Sequence, residues 1–131
     1  MIRVLLVDDE PRLRLAWQTL FQGVPDLELV AALPDANGLP AAVAAYTPDV
    51  VVVDLTMPGI DPLVAVRELV ASQPKVRVVI YSGRTDAELL QAAFDSGAWG
   101  YLDKLASPDE MFQTLRQVHA GQTAFPSERT G

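Results

Sequence analysis

The sequence predicts an α/β fold, a doubly wound (βα)5 sandwich around a five-stranded parallel sheet, on three observations. Short runs rich in Val, Ile and Leu alternate with longer segments in which apolar residues recur at helical spacing. Three of the runs, Val4 to Val7, Val50 to Val53 and Val76 to Ile80, are almost continuously apolar, the pattern of strands buried on both faces. Crossovers between parallel strands are right-handed and both faces must be sealed, so the doubly wound arrangement is the economical topology.

Taken in chain order, strands are expected at residues 2–7, 27–33, 49–53, 76–81 and 98–102. The helices between them are marked by Leu13, Ala16, Trp17 and Leu20; by Leu39, Ala42, Val43 and Tyr46; by Leu63, Val66, Leu69 and Val70; by Leu90, Ala93 and Phe94; and by Met111, Leu115 and Val118. Pro11, Pro62 and Pro108 suit first-turn positions, where no amide hydrogen is needed. Thr85-Asp86-Ala87-Glu88 and Ser107-Pro108-Asp109-Glu110 read as capping boxes led by Thr85 and Ser107. Gly97 and Gly121 fall where C-terminal caps belong. Trp17 reads as packing, while strand alternation puts Trp99 on the same face as Tyr101, open to a partner or to a covering helix.

A chain of 131 residues, 50% of them hydrophobic, can bury one core without a covalent staple. It has no cysteine, which excludes a disulfide framework, a thiolate metal site and a thiol nucleophile; the chemistry must use oxygen and nitrogen. A net charge of −7 predicts repulsion from nucleic acid and from anionic membranes. No apolar stretch reaches the roughly 20 residues of a membrane span, and Met1-Ile2-Arg3 leads straight into a strand pattern, so a cytoplasmic protein is expected. Residues 1–121 form the expected domain, and residues 122–131, with Pro126 and Ser127, read as a linker or tail.

Four of the apolar runs end on chemistry-bearing side chains: Asp8 and Asp9, Asp54, Ser82, and Asp103 with Lys104. In an open parallel sheet the ligand crevice lies outside the carboxyl ends of the strands, so carboxylates, a hydroxyl and an ammonium should converge in one shallow pocket. Each alone is an ordinary turn or cap residue. Their joint occurrence points to a site.

The segments Leu5-Leu6-Val7-Asp8-Asp9-Glu10, Val51-Val52-Val53-Asp54-Leu55-Thr56-Met57-Pro58-Gly59, Tyr81-Ser82-Gly83 and Gly97-Ala98-Trp99-Gly100-Tyr101-Leu102-Asp103-Lys104 together resemble the successive signatures of a bacterial response regulator receiver domain. The resemblance runs over about residues 2 to 120. It implies a flavodoxin-like strand order 2-1-3-4-5. It also implies that Asp54 accepts a phosphoryl group from a sensor histidine kinase, and that Asp8, Asp9, Asp54 and the Thr56 carbonyl hold Mg²⁺. Lys104 and Ser82 would meet the phosphoryl oxygens, and Ser82 and Tyr101 would act as the switch. Thr56 and Arg84 would tune hydrolysis. The change would be relayed through the surface of the fourth helix, fifth strand and fifth helix.

Leu105 departs from the proline that often follows this lysine in the family, and Gly83 leaves room for a phosphodonor. The chain then reads as a self-phosphorylating switch and not a turnover enzyme. Its tail resembles receivers joined to a LuxR-type DNA-binding domain, which implies transcriptional output and a homodimer on phosphorylation, with no nucleic acid contact by this half. Two other readings stay open. One is a Mg²⁺-dependent phosphohydrolase with an aspartyl nucleophile, which would need an acid where Thr56 stands; the other is an interaction module that works without phosphorylation.

Overall fold

The structure is a computed structural model and describes residues 1–55 and 61–126. Strands β1 (Ile2–Val7), β2 (Leu27–Leu33), β3 (Val50–Asp54), β4 (Arg77–Ser82) and β5 (Gly100–Asp103) alternate with helices α1 (Pro11–Phe21), α2 (Leu39–Tyr46), α3 (Pro62–Ser72), α4 (Ala87–Asp95) and α5 (Pro108–His119). The strands form one parallel sheet in the order β2-β1-β3-β4-β5. The fold class is the one the sequence pattern predicts, and the strand order is the one the family resemblance implies.

Alternation explains why the central strands read as continuous apolar runs. Leu5, Val7, Val51, Val53, Val78 and Ile80 enter one core with α2, α3 and α4, while Val4, Leu6, Val50, Val52, Val79 and Tyr81 enter a second core with α1 and α5. The second core is aromatic: Trp17 meets Phe21, Tyr81 and Phe112 edge to face, with centroids 6.1, 6.3 and 6.2 Å away. Trp17 is therefore packing, as its helical spacing implies. Among the described residues no helix is long and apolar enough to cross a membrane.

Local signals set the helix ends. Ser107 Oγ accepts from the Glu110 amide at 3.2 Å and Glu110 Oε1 accepts from the Ser107 amide at 3.1 Å, completing the expected capping box. At α4 the cap is Asp86, not Thr85. The Asp86 carboxylate accepts from the Leu89 amide at 3.3 Å and also holds the Arg84 guanidinium, two roles that the uncharged Thr85 hydroxyl could not combine. Gly97 and Gly121 lie one residue past their helix caps at φ +100° and +94°, the left-handed region that an L side chain rarely adopts.

Trp99 corrects the alternation argument. Its ring packs with the α1–α5 core, under the Arg77 guanidinium at 4.5 Å, whereas Tyr101 enters the α2–α4 core. The cause is local: the Trp99 N–H donates to Val78 O at 2.8 Å on one side while its carbonyl accepts from the Ala124 N–H at 2.9 Å on the other. In a regular strand both groups of one residue point the same way, so Trp99 lies outside the two-residue period, and β5 begins at Gly100. Arg77 also donates to the carbonyls of Val118 and His119 at 3.0 Å each, capping the end of α5.

Candidate functional site at the carboxyl edge of the sheet

The strand ends deliver the expected groups to one rim. Asp8 and Asp9 follow β1, Asp54 closes β3, Ser82 closes β4, and Lys104 follows β5. Parallel register fixes their relative heights, with Val7 beside Val53, Asp54 beside Tyr81 and Ser82 beside Asp103. Asp8, Asp54 and Ser82 are fully buried, and Asp9 is exposed.

Lys104 Nζ lies 3.0 Å from Asp54 Oδ2 and 3.6 Å from Asp8 Oδ2, so a single ammonium serves two buried carboxylates. Its backbone is anchored by the Lys104 N–H donating to Ser82 O at 2.9 Å. The next turn is tied by Asp103, whose carboxylate accepts from the Leu105 amide at 2.8 Å. Among the described residues every peptide bond is trans.

Asp8 is only half satisfied. Its Oδ1 accepts from the Glu10 amide at 2.9 Å, whereas buried Oδ2 has no hydrogen-bond partner among the described residues. Burial raises its pKa above the ordinary 3.8; the Glu10 amide and Lys104 oppose the shift, and the neighbouring charges of Asp54 and Asp9 add to it. Burial alone would push the Lys104 ammonium down, but the hydrogen bond and charge of Asp54, with Asp8 behind it, leave its pKa raised. Asp8, Asp9 and Asp54 can each offer one carboxylate oxygen, all within 4.8 Å of one another. Three acids around an orphaned buried oxygen fit a hard, oxygen-loving cation such as Mg²⁺.

The remaining predicted residues fall into two groups. Ser82 Oγ accepts from the Arg84 amide at 3.1 Å, and the Tyr101 hydroxyl donates to the Arg84 carbonyl. Tyr101 is 2% exposed, seated inward. The Arg84 side chain pairs with Asp86 at 3.1 Å, so its guanidinium is engaged at the α4 cap. Gly83 borders open space that an added Cβ would also occupy freely, so room there does not depend on glycine. The Thr56 assignments, with Met57, Pro58 and Gly59, lie outside the described residues.

Two neighbours of the site went unnoticed in the sequence. The Lys104 ammonium stands 5.5 Å from the centre of the Tyr81 ring, a contact that alternation at the end of β4 could have suggested. Arg14 donates to the Asp8 carbonyl at 2.8 Å, and nothing in the spacing of α1 marks it.

Comparison with known proteins agrees with this geometry. Residues 4–116 match the family described as Response regulator receiver domain. Response regulator GacA of Pseudomonas aeruginosa is 35% identical over 93% of this chain and 57% of its own length. Transcriptional activator protein ExaE of Pseudomonas putida is 35% identical over 90% of this chain and 55% of its own. The crystal structure of a LuxR-family two-component response regulator from Aurantimonas sp. SI85-9A1 superposes with a TM-score of 0.87 at 33% identity, covering 93% of this chain and 87% of that one. The chain thus spans less than two thirds of these curated relatives. A match running from β1 into α5, over strands in the predicted order and acids at their ends, places the chain in the response regulator receiver domain family of two-component systems.

Proposed function

We propose that the chain is a phosphorylation-activated switch in which Asp54 accepts a phosphoryl group from a phosphohistidine of a sensor kinase. An Asp54 carboxylate oxygen forms the new bond to phosphorus, the P–N bond breaks, and the imidazole leaves. The observation that carries this reading is the shared ammonium: Lys104 sits 3.0 Å from Asp54 with the orphaned Asp8 oxygen alongside. Phosphoryl transfer asks a protein mainly for positioning and charge stabilisation.

Asp8, Asp9 and Asp54 would hold Mg²⁺, with the Thr56 carbonyl as a further ligand. Bound there, the ion neutralises clustered carboxylates that would otherwise repel an incoming phosphate. Lys104 and the Ser82 hydroxyl would each meet a phosphoryl oxygen, and Arg84 and Thr56 would tune its loss to water. Ser82 and Tyr101 would then bias the α4–β5–α5 surface between two states. Residues 1–121 would form this receiver and residues 122–131 a linker or tail. One relative is named a transcriptional activator, which supports a role in transcription; output through a DNA-binding partner domain, a homodimer on activation and a cytoplasmic setting complete the proposal.

With acetyl phosphate and Mg²⁺ the protein should gain one phosphoryl group by intact mass, and Asp54→Asn should gain none. Equal labelling of both proteins would remove the reading, as would labelling that persists undiminished in chelator.

A further inference from the structure

The groove between α4 and β5 is occupied by the chain itself. Beyond α5, the Ala124 N–H donates to Trp99 O at 2.9 Å and the Tyr101 N–H donates to Ala124 O at 3.1 Å, adding one parallel bridge to the open edge of β5. Gln117 Nε2 donates to the Thr123 carbonyl at 2.8 Å, fixing the approach. The Phe125 ring lies 5.6 Å from Phe94 of α4 and 6.5 Å from Tyr101. Gly100 makes the close approach possible: a Cβ there would stand 3.3 Å from Ala124 O, with Val118 and Val79 equally close behind.

This segment ends a contiguous line of contacts that begins at the acid site. Ser82 Oγ accepts from the Arg84 amide, the Arg84 carbonyl accepts from the Tyr101 hydroxyl, and Tyr101 meets the segment through both its ring and its amide. Tyr101 also shares the wall of one surface cavity with Thr85, Ala124, Phe125 and Pro126. An outward swing of the ring would enter space that Phe125 and Pro126 border. The seated segment and the inward Tyr101 therefore favour each other.

We propose that Gln122–Pro126 is a latch, a reversible occupant of the α4–β5 groove that holds Tyr101 inward and docks more firmly when an anionic group at Asp54 engages Ser82. The inference rests on the proposed function and extends it by naming the element that reads the switch. Coupling between two sites is reciprocal, so whatever the occupied site adds to docking, the docked segment returns to the site.

Amide hydrogen exchange on the 131-residue protein, with Mg²⁺ and beryllofluoride as the phosphoryl mimic, tests it. Exchange at Tyr101 and Ala124 should slow about fivefold or more on adding the mimic, within the usual range of such couplings. Phe125→Ala should speed exchange at Tyr101 and weaken beryllofluoride binding by a similar factor. Ala124→Pro, which deletes the N–H given to Trp99, should act in the same direction without touching a ring. If the Arg84 amide responds to the mimic while Tyr101 and Ala124 do not, the site works and the latch is overturned. If none of the three responds, the proposed function fails and the latch falls with it.

Discussion

The ion pairs at the two ends of the sheet are built on opposite terms. At the amino-terminal side of the sheet, Arg116 of α5 grips Asp26 with two nearly parallel bonds of 2.8 and 3.0 Å, both partners facing water. At the carboxyl edge, Lys104 is divided between Asp54 and Asp8, both fully buried, with exposed Asp9 nearby. Arg116 lowers the pKa of Asp26 below 3.8, as complementary pairing should, while burial raises that of Asp8. The first pair is satisfied and optional. The second is short of positive charge, the deficit that the proposed divalent cation would fill.

The largest expected effect comes from removing the shared ammonium. Lys104→Met leaves two buried carboxylates facing each other and should cost about 2–3 kcal/mol in urea unfolding in metal-free buffer. That lies below the usual loss for a fully buried pair because the Lys104 side chain keeps 22% of its exposure. Arg116→Met should move the unfolding midpoint far less. Equal effects would erase the contrast between the two regions.

Next in size is the response to the cation itself. Asp8→Asn removes one repulsive charge and should stabilise the metal-free protein by about 1–2 kcal/mol, the usual trade between stability and a strained site. The unsubstituted protein should in turn gain about 1.4 kcal/mol at a Mg²⁺ concentration ten times its dissociation constant, and the variant should gain almost nothing. Paired urea titrations with and without Mg²⁺ separate these two signs. A variant that is destabilised, yet still responds to Mg²⁺, would show that Asp8 is a structural acid.

How much of this could be read in advance depended on how local the cause was. The continuous valines of β3 declared a strand buried on both faces, and five such alternating units left little freedom in topology. Asp8, Asp54 and Lys104 were legible because the ends of parallel strands must meet at one edge. Trp99 was misplaced because Gly97 and the returning Ala124 turn its backbone out of the strand period, and Ala124 is a contact made from beyond α5. Thr85 lost the cap to Asp86 for a similar reason, since the choice turns on where Arg84 finds a carboxylate. The seat of Phe125 had no signal in the sequence: its partners, Phe94 and Tyr101, become neighbours only once the chain has folded back on β5.

The smallest expected effect, and the one that most sharpens the comparison, is a difference in sign with pH. Because the native pKa of Asp8 is raised, the folded state holds that proton more tightly than the unfolded chain; its contribution is present below the ordinary 3.8 and lost as pH rises through the native value. Because the native pKa of Asp26 is lowered, its contribution is present above 3.8 and lost as pH falls through the native value. In metal-free, low-salt buffer, urea midpoints between about pH 3 and pH 6 should therefore diverge for the two variants. Asp8→Asn should gain on the parent as pH rises. Asp26→Asn should fall behind it over the same change, by a small amount that added salt suppresses because both partners are exposed. Two variants that drift in the same direction would mean that Asp8 is as well paired as Asp26, and that the carboxyl edge has no deficit for a cation to fill.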